Sequence, residues 1–419
     1  MTRVLIGQGG GPTPVINYSL AGAIDGLKEG KVEILGMRNG IEGGGLNREV
    51  EGNIIDLSDF DSSKIKGIPG AFLGTCRIKL SSKKEGDMEK IRKLEENIRY
   101  LGAEGIMYIG GNDSANTLSA IKSCRTIHIA KTIDNDLPKN DHTPGWGSAC
   151  LFNSKAIRRL EQDMKGFSPK IMQDGREVYS TAPVVVYQTQ GRDTGWLVLG
   201  SAFAKLNKNA EIRKNYAPHL FLVRERAYND KELLNAVDNL LCEQGYAFVV
   251  CGEELVDARG TPLPKIYNSG GEILDEHEHV EHARAGAFNY ANFIAARVKE
   301  QLKVESKPYL KIKETPLSAQ HLQRVYECSK VDAEEAYEVG REAARAFLDG
   351  ETAISIGIKR IGNYKMTAGR IPLREVSGKV RRVDECYVGD VNGPSPQFYS
   401  DYLPLIGGIE ALEDYPRIG

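Results

Sequence analysis

The chain has 419 residues, long enough for two domains or for one large domain with insertions, since domains run to about 100–200 residues. Hydrophobic residues make up 41% and charged residues 27%, a globular balance that excludes a disordered or fibrous chain. Lys and Arg number 55 against 57 Asp and Glu, a net charge of −2. That lacks the basic excess of a nucleic-acid binder, yet leaves room for an anionic small molecule held by a few local cations. Seven cysteines are scattered without a C-x-x-C pair, a pattern of reduced thiols rather than of a disulfide framework. The first apolar run, Val4-Leu5-Ile6, is too short for a secretory or membrane-spanning segment, so a cytoplasmic protein with no membrane and no nucleic-acid partner is expected.

In chain order, residues 4–7 read as a buried strand, Gly9-Gly10-Gly11 as a tight loop, and 15–27 as a helix with Ile16, Leu20, Ile24 and Leu27 on one face. Further strands are predicted at 32–37, 105–109, 127–133, 183–187, 220–223 and 248–251, and helices at 230–243, 287–302 and 332–348. Gly43-Gly44-Gly45 and the stretches 166–175 and 260–271 read as loops or insertions, and the charged stretch 79–96 as a solvated helix face. Short apolar strands alternating with helices predict the α/β class, with mainly parallel sheets covered on both faces. In such sheets ligands sit beyond the carboxyl ends of the strands.

Three glycine-rich turns follow predicted strands, at Gly9-Gly10-Gly11, residues 70–74 and Gly110-Gly111. Loops without Cβ atoms let backbone N–H groups approach an anion, and a following helix N-terminus adds its dipole. Taken alone, each reads more readily as an ordinary tight turn than as a phosphate seat; three in one chain weigh more toward phosphate. Neither the G-x-G-x-x-G dinucleotide pattern in its strand–helix setting nor the phosphate loop G-x-x-x-x-G-K-[ST] is present. A nicotinamide-dependent reading of the first loop finds a ribose-binding acid at suitable distance in Glu33, and nothing else agrees with it. The segment Lys131-Thr132-Ile133-Asp134-Asn135-Asp136 follows an apolar strand end, where polar side chains are displayed at a sheet edge. Two carboxylates two residues apart, with a cation three residues before the first, suit activation of a hydroxyl beside a bound phosphate. An Asx-rich turn that only caps the next segment fits the same residues.

An ordered set of motifs runs over about three quarters of the chain. It comprises Gly10-Gly11 with Pro14 and Asn17, Gly74-Thr75-Cys76-Arg77, Gly110-Gly111-Asn112-Asp113-Ser114, Lys131 to Asp136, Gly191-Arg192-Asp193-Thr194-Gly195-Trp196-Leu197, Glu253, and His321-Leu322-Gln323-Arg324. In this the sequence resembles the phosphofructokinase A superfamily, and within it the pyrophosphate-dependent branch. The resemblance implies two lobes of mainly parallel sheet with the active site in the cleft between them. The donor lobe would comprise residues 1–147 plus 323–376, and the acceptor lobe 148–322 plus 377–419. It implies Mg²⁺ as cofactor and a homodimer or homotetramer, because relatives bind the sugar phosphate partly with a neighbouring subunit.

Residue by residue, the resemblance makes Asp134 the general base, and has Asp136 hold metal or orient the acceptor. Lys131 and Arg192 offset charge on the transferring phosphoryl group, and Gly10, Gly11, Arg77, Gly111, Asp113 and Ser114 face the donor. Asn112 stands where many relatives place a metal-binding Asp, so metal contact falls on Asn112 or Asp113. ATP-using relatives carry glycine at the positions of Asp113 and Lys131; the carboxylate intrudes where an α-phosphate would lie, and the ammonium suits a terminal phosphate of pyrophosphate. On the acceptor side stand Thr132, Gln190, Gly191, Glu253, His321 and Arg324, which match the family's sugar-phosphate pocket. The family usually has Met-Gly-Arg where this chain has Gln190-Gly191-Arg192, and an arginine often found near Ala182 or Pro183 is missing. Fructose 6-phosphate is the expected acceptor, with sedoheptulose 7-phosphate or an unphosphorylated polyol such as myo-inositol as alternatives, and an ATP-dependent 6-phosphofructokinase as the alternative on the donor side.

His277, Glu278, His279 and His282 resemble a metal cluster by residue type, but their charged surroundings and the lack of nearby cysteine favour a solvated segment. Trp146 and Trp196 flank glycines and are expected to pack rather than to line the acceptor pocket.

Overall fold

Successive residues of a strand face opposite sides, so a run that is apolar throughout has two faces to bury. In β1 (Arg3–Gln8), Val4 and Ile6 enter one core cluster and Leu5 another. Along the chain follow β2 (Glu33–Met37), β3 (Ile54–Asp56), β4 (Gly105–Gly110), β5 (Arg125–Ala130), β6 (Lys170–Gln173), β7 (Arg176–Tyr179), β8 (Ala182–Gln188), β9 (Leu220–Leu222), β10 (Ala247–Cys251), β11 (Ile312–Ser318), β12 (Ile354–Gly362) and β13 (Lys365–Pro372). The computed structural model describes residues 2–82, 84–267 and 289–415. It divides into two units: Met1–Ala149 with Gln323–Arg381 and Pro404–Ile406, and Cys150–Leu322 with Arg382–Leu403 and Gly407–Gly419.

The first unit holds a seven-stranded sheet in the order β13-β12-β5-β4-β1-β2-β3, parallel except at its two edges, where β13 and β3 run antiparallel to their neighbours. Helices Ile16–Glu29 and Lys330–Leu348 cover one face through Leu20, Ile24, Val339 and Phe347. Helices Glu85–Tyr100 and Asn112–Ala120 cover the other through Ile91, Leu94 and Leu118. The first two helices meet at backbone distance: a Cβ on Gly22 would stand 2.0 Å from the carbonyl oxygen of Tyr337, and one on Gly340 2.1 Å from that of Ser19. In the second unit a parallel sheet, β11-β8-β10-β9, packs Val184, Val186 and Val249 against Leu233 and Val237 of helix Asp230–Gln244 and Ile294 and Val298 of helix Tyr290–Gln301. The hairpin β6–β7 forms its own small sheet.

The α/β class expected from the apolar runs holds, with parallel strands at 4–7, 105–109, 183–187, 220–222 and 248–251. Topology also selects a place for ligands. From β1 the chain steps to β2 on one side and later to β4 on the other, so strand order reverses between β1 and β4; in open α/β sheets the crevice beyond such a reversal binds ligands.

Three expectations need correction. The strand predicted over 127–133 ends at Ala130, because the backbone then turns and Asn135 takes a left-handed φ of 55°. The charged stretch 79–96 is not one helix: the helix starts at Glu85, and residues 75–80 belong to no helix or strand. Residues 166–175 are not a plain loop; Asp174 and Gly175, at φ 50° and 75°, make the tight turn of the β6–β7 hairpin, which is what an Asp-Gly pair favours. The group His277, Glu278, His279 and His282 lies outside the described residues. No helix among the described residues is long and apolar enough to cross a membrane.

Candidate active site

At the end of β1 the chain turns through Gly9-Gly10-Gly11, with Gly10 at φ 72°. The turn is stitched to its neighbours: the Gly9 N–H donates to the Ile109 carbonyl at 2.8 Å, and the Gly10 N–H to the Cys76 carbonyl at 2.9 Å. Two buried amides hold the approach to residues 74–77. Gln8 Nε2 donates to Asn17 Oδ1 at 3.1 Å, while the Leu73 N–H donates to Gln8 Oε1 and the Phe72 N–H to Asn17 Oδ1, each at 2.9 Å.

Lys131 is buried and its ammonium donates to the carbonyls of Gly9 at 3.1 Å and Gly11 at 2.6 Å. A Cβ on Gly11 would stand 2.8 Å from Cζ of Arg324, so that guanidinium lies on the same loop. Burial, and after it the Arg324 charge, pull the Lys131 pKa down to about 7; Asp134 and Asp136 oppose this and Arg77 adds to it. Three cations and two carboxylates therefore feel one another around one glycine turn. From Thr132 to Leu137 burial alternates: Ile133, Asn135 and Leu137 point inward, and Thr132, Asp134 and Asp136 are half-buried on the open side. The Asp134 N–H donates to Thr132 Oγ1 at 3.1 Å, which fixes the turn.

A second anion-type feature follows β4. Helix Asn112–Ala120 opens directly after Gly110-Gly111, and Ser114 Oγ occupies the space a Gly110 Cβ would need, 2.0 Å away. Asn112 is committed at both ends: its amide donates to the Lys379 carbonyl, and its oxygen accepts from the Gly378 N–H at 3.0 Å. The Arg381 N–H donates to the Asp136 carbonyl at 2.7 Å. Residues 378–381, which carried no motif, thus fasten both the helix start and the Asp136 turn. Asp113, in the first helical turn, pairs with Lys79 at 3.0 Å.

Behind the Lys131–Asp136 segment lies a buried charge network. His142 is fully buried, with Nδ1 2.8 Å from Asp141 and Nε2 2.6 Å from Glu335; Arg360 donates to Asp141 at 2.7 and 3.1 Å. Burial opposes charge on the ring, but Glu335 and Asp141 outweigh it and raise the His142 pKa to about 9. Asp332, also buried, accepts from the N–H groups of Gly145 and Ser148 and from Ser148 Oγ, which anchors the start of helix Trp146–Lys165.

In the second unit the carboxyl ends of three adjacent strands carry the remaining expected residues. Gln190, Gly191 and Arg192 follow β8, Glu253 follows β10 and His321 follows β11. Gly191, at φ 107°, donates its N–H to Glu253 Oε2 at 3.2 Å, and both Gln190 and Glu253 are buried. The unit boundary runs through the turn Gln320–Arg324, leaving His321 in the second unit and Arg324 in the first. Sequence reasoning missed Glu225, whose carboxylate accepts from the N–H groups of Gly195 and Val383 and from Thr194 Oγ1 and so holds the Arg192–Trp196 turn. Trp196 packs on Tyr387 and Tyr402, and both Trp196 and Trp146 are fully buried, in keeping with the packing expected of them.

Residues 3–347 match the model of the family Phosphofructokinase. The chain belongs to this family. It is 30% identical to the pyrophosphate–fructose 6-phosphate 1-phosphotransferase of Xanthomonas campestris over 98% of this chain and 93% of the relative. Identity is also 30% to the enzyme of the same name from Rhodospirillum rubrum, over 97% and 94%. A sulfofructose kinase of Alkalicoccus urumqiensis is 28% identical over 92% of each chain. Among solved structures, the pyrophosphate-dependent phosphofructokinase of Nitrosospira multiformis superposes with a TM-score of 0.75 at 26% identity, covering 100% of this chain and 94% of that one. This phosphofructokinase is accordingly a phosphotransferase with small-molecule substrates, in a family whose enzymes generally use a divalent metal.

Proposed function

We propose that this phosphofructokinase transfers a phosphoryl group from pyrophosphate to the 1-hydroxyl of fructose 6-phosphate, reversibly, with Mg²⁺. The observation that carries the donor is the pair Asp113 and Lys131: a carboxylate heads the helix that follows Gly110-Gly111, and a buried ammonium bridges the carbonyls of Gly9 and Gly11. An α-phosphate beside Asp113 would meet both bulk and like charge. Pyrophosphate, which ends where that phosphate would begin, meets the cations Lys131, Arg324 and Arg77 instead.

Catalysis in this reading is positioning plus electrostatics. Asp134 takes the proton of the acceptor hydroxyl; Lys131 stands beside it as the opposite charge and the Thr132 hydroxyl sets its turn. Lys131 and Arg192 offset charge on the phosphoryl group, and Gly10, Gly11, Gly111 and Ser114 shape its seat. The described residues contain no cluster of three or more His, Cys, Asp or Glu side chains able to hold a metal ion. Mg²⁺ is usually held by one or two carboxylates and by the substrate's own phosphate oxygens. Both ends of the Asn112 amide are engaged by residues 378 and 379, so Asp113 and Asp136 are the carboxylates that would hold the cation; bound there, it would neutralise phosphate charge. The first unit takes the donor and the second the acceptor, with Gln190, Glu253 and His321 on the sugar, and a homodimer or homotetramer belongs to the same reading.

The acceptor is tested by a panel assayed with Mg-pyrophosphate: fructose 6-phosphate, its 6-sulfo analogue, sedoheptulose 7-phosphate and myo-inositol. The highest kcat/KM is expected for fructose 6-phosphate; a preference for any other member would reassign the acceptor and leave the donor reading intact.

A further inference from the structure

The run Cys76-Arg77-Ile78-Lys79-Leu80 belongs to no helix or strand; Cys76 and Leu80 are buried, Arg77 is exposed, and Ile78 and Lys79 are half-buried. Cys76 and Leu80 are buried in the core under the sheet, and Ile78 packs against it. Arg77 and Lys79, two residues apart, are the cations of this run, the first exposed and the second half-buried. The run is tied at both ends to the phosphate-type turns of the first unit. The Cys76 carbonyl accepts from the Gly10 N–H, and the Leu80 N–H donates to Thr117 Oγ1 at 3.1 Å, one helical turn beyond Asp113. Thr117 Oγ1 in turn donates to the Asp113 carbonyl at 3.0 Å. Lys79 is thereby carried to the head of helix Asn112–Ala120, where its ammonium lies 3.0 Å from Asp113 Oδ1, with the two side chains 37% and 46% exposed.

We propose that Lys79 is a donor-phosphate ligand and a donor-specificity residue, resting on Asp113 until pyrophosphate arrives. This rests on the reading of pyrophosphate as donor and names a further residue of that same site. An exposed ion pair of this kind is worth little in water, so a long, mobile ammonium exchanges Asp113 for a multiply charged phosphate at small cost. The pairing also explains how a site that repels nucleotides through Asp113 still accepts an anion. Lys79 supplies the positive charge that a small donor meets, while the bulk of the Asp113 side chain stays where an α-phosphate would need to pass.

The test compares wild type, K79M, K79R, D113N and the double variant K79M/D113N. Each is assayed for pyrophosphate and acceptor KM and for kcat, and titrated calorimetrically with methylenediphosphonate, a non-hydrolysable pyrophosphate analogue. K79M is expected to weaken analogue binding and raise the pyrophosphate KM about tenfold, the loss of one charge-assisted hydrogen bond. The acceptor KM and the melting temperature should stay unchanged, K79R should recover part of the loss, and the penalty should persist in D113N. Loss of the penalty in the D113N background would overturn the proposal, since Lys79 would then act only by neutralising Asp113. A K79M enzyme with wild-type pyrophosphate KM would overturn it while leaving the donor reading standing. A wild type that does not turn over pyrophosphate would overturn both.

Discussion

Two of the three ammonium protons of Lys131 go to the carbonyls of Gly9 and Gly11, so this residue shapes the glycine turn as well as charging it. Asp134 shares its field, and the proposed role of general base falls to that carboxylate. Asp134→Asn keeps the side chain's size and removes the base; kcat is expected to fall roughly 10²-fold or more while the dissociation constant of methylenediphosphonate changes little. An unchanged kcat in D134N would remove Asp134 from the base role. Single residues were unevenly legible in the sequence. Lys131, Asp134 and Asp136 announce themselves by charge spacing after an apolar strand. Asn112 reads as a metal ligand by position, yet its amide is taken by the backbone of residues 378 and 379, more than 260 positions away, a contact that no local pattern encodes. Lys79 carried no motif because charge density along 79–96 suggested a helix, whereas that helix begins only at Glu85 and leaves Lys79 in the preceding irregular segment.

Elements behave differently, because burial rather than chemistry decides them. Helix Trp146–Lys165 escaped sequence reasoning since its buried side mixes polar with apolar residues: Ser148, Asn153, Ser154, Arg158 and Glu161 are buried alongside Ala149, Cys150 and Ile157, and apolar periodicity is correspondingly diluted. The segment leading into it is held by His142, which joins Asp141 to Glu335 of helix Lys330–Leu348. The ring binds its proton more tightly folded than unfolded, so its contribution is fully present below pH 6.5 and is lost as pH rises through about 9. Over that window wild-type stability should fall by on the order of 3 kcal/mol from this group. H142Q should be less stable at pH 6 and lack that part of the slope. Urea midpoints taken across pH 6 to 10 read both effects, and parallel profiles for the two proteins would show that His142 is neutral in the fold.

At the scale of the molecule, sequence and structure agree most closely where strands are buried on both faces. Runs such as 105–109 and 248–251 are apolar without interruption, and they form the interior of the two parallel sheets. The edges were less legible. β12 and β13 pair across a two-residue turn near residue 363, and the outer half of β12 is exposed, so its pattern decays along the strand. What places the glycine turns after β1 and β4 side by side is the reversal of strand order between these strands, a property of topology that becomes visible only when the sheet is assembled. Membership of the phosphofructokinase family follows from the whole chain, whereas the proposed choice of donor rests on two side chains, Asp113 and Lys131. The most direct measurement is the initial rate with Mg-pyrophosphate and with Mg-ATP, run in parallel at saturating fructose 6-phosphate. Turnover with pyrophosphate and little or none with ATP is predicted; a rate with ATP equal to or above that with pyrophosphate would contradict the account.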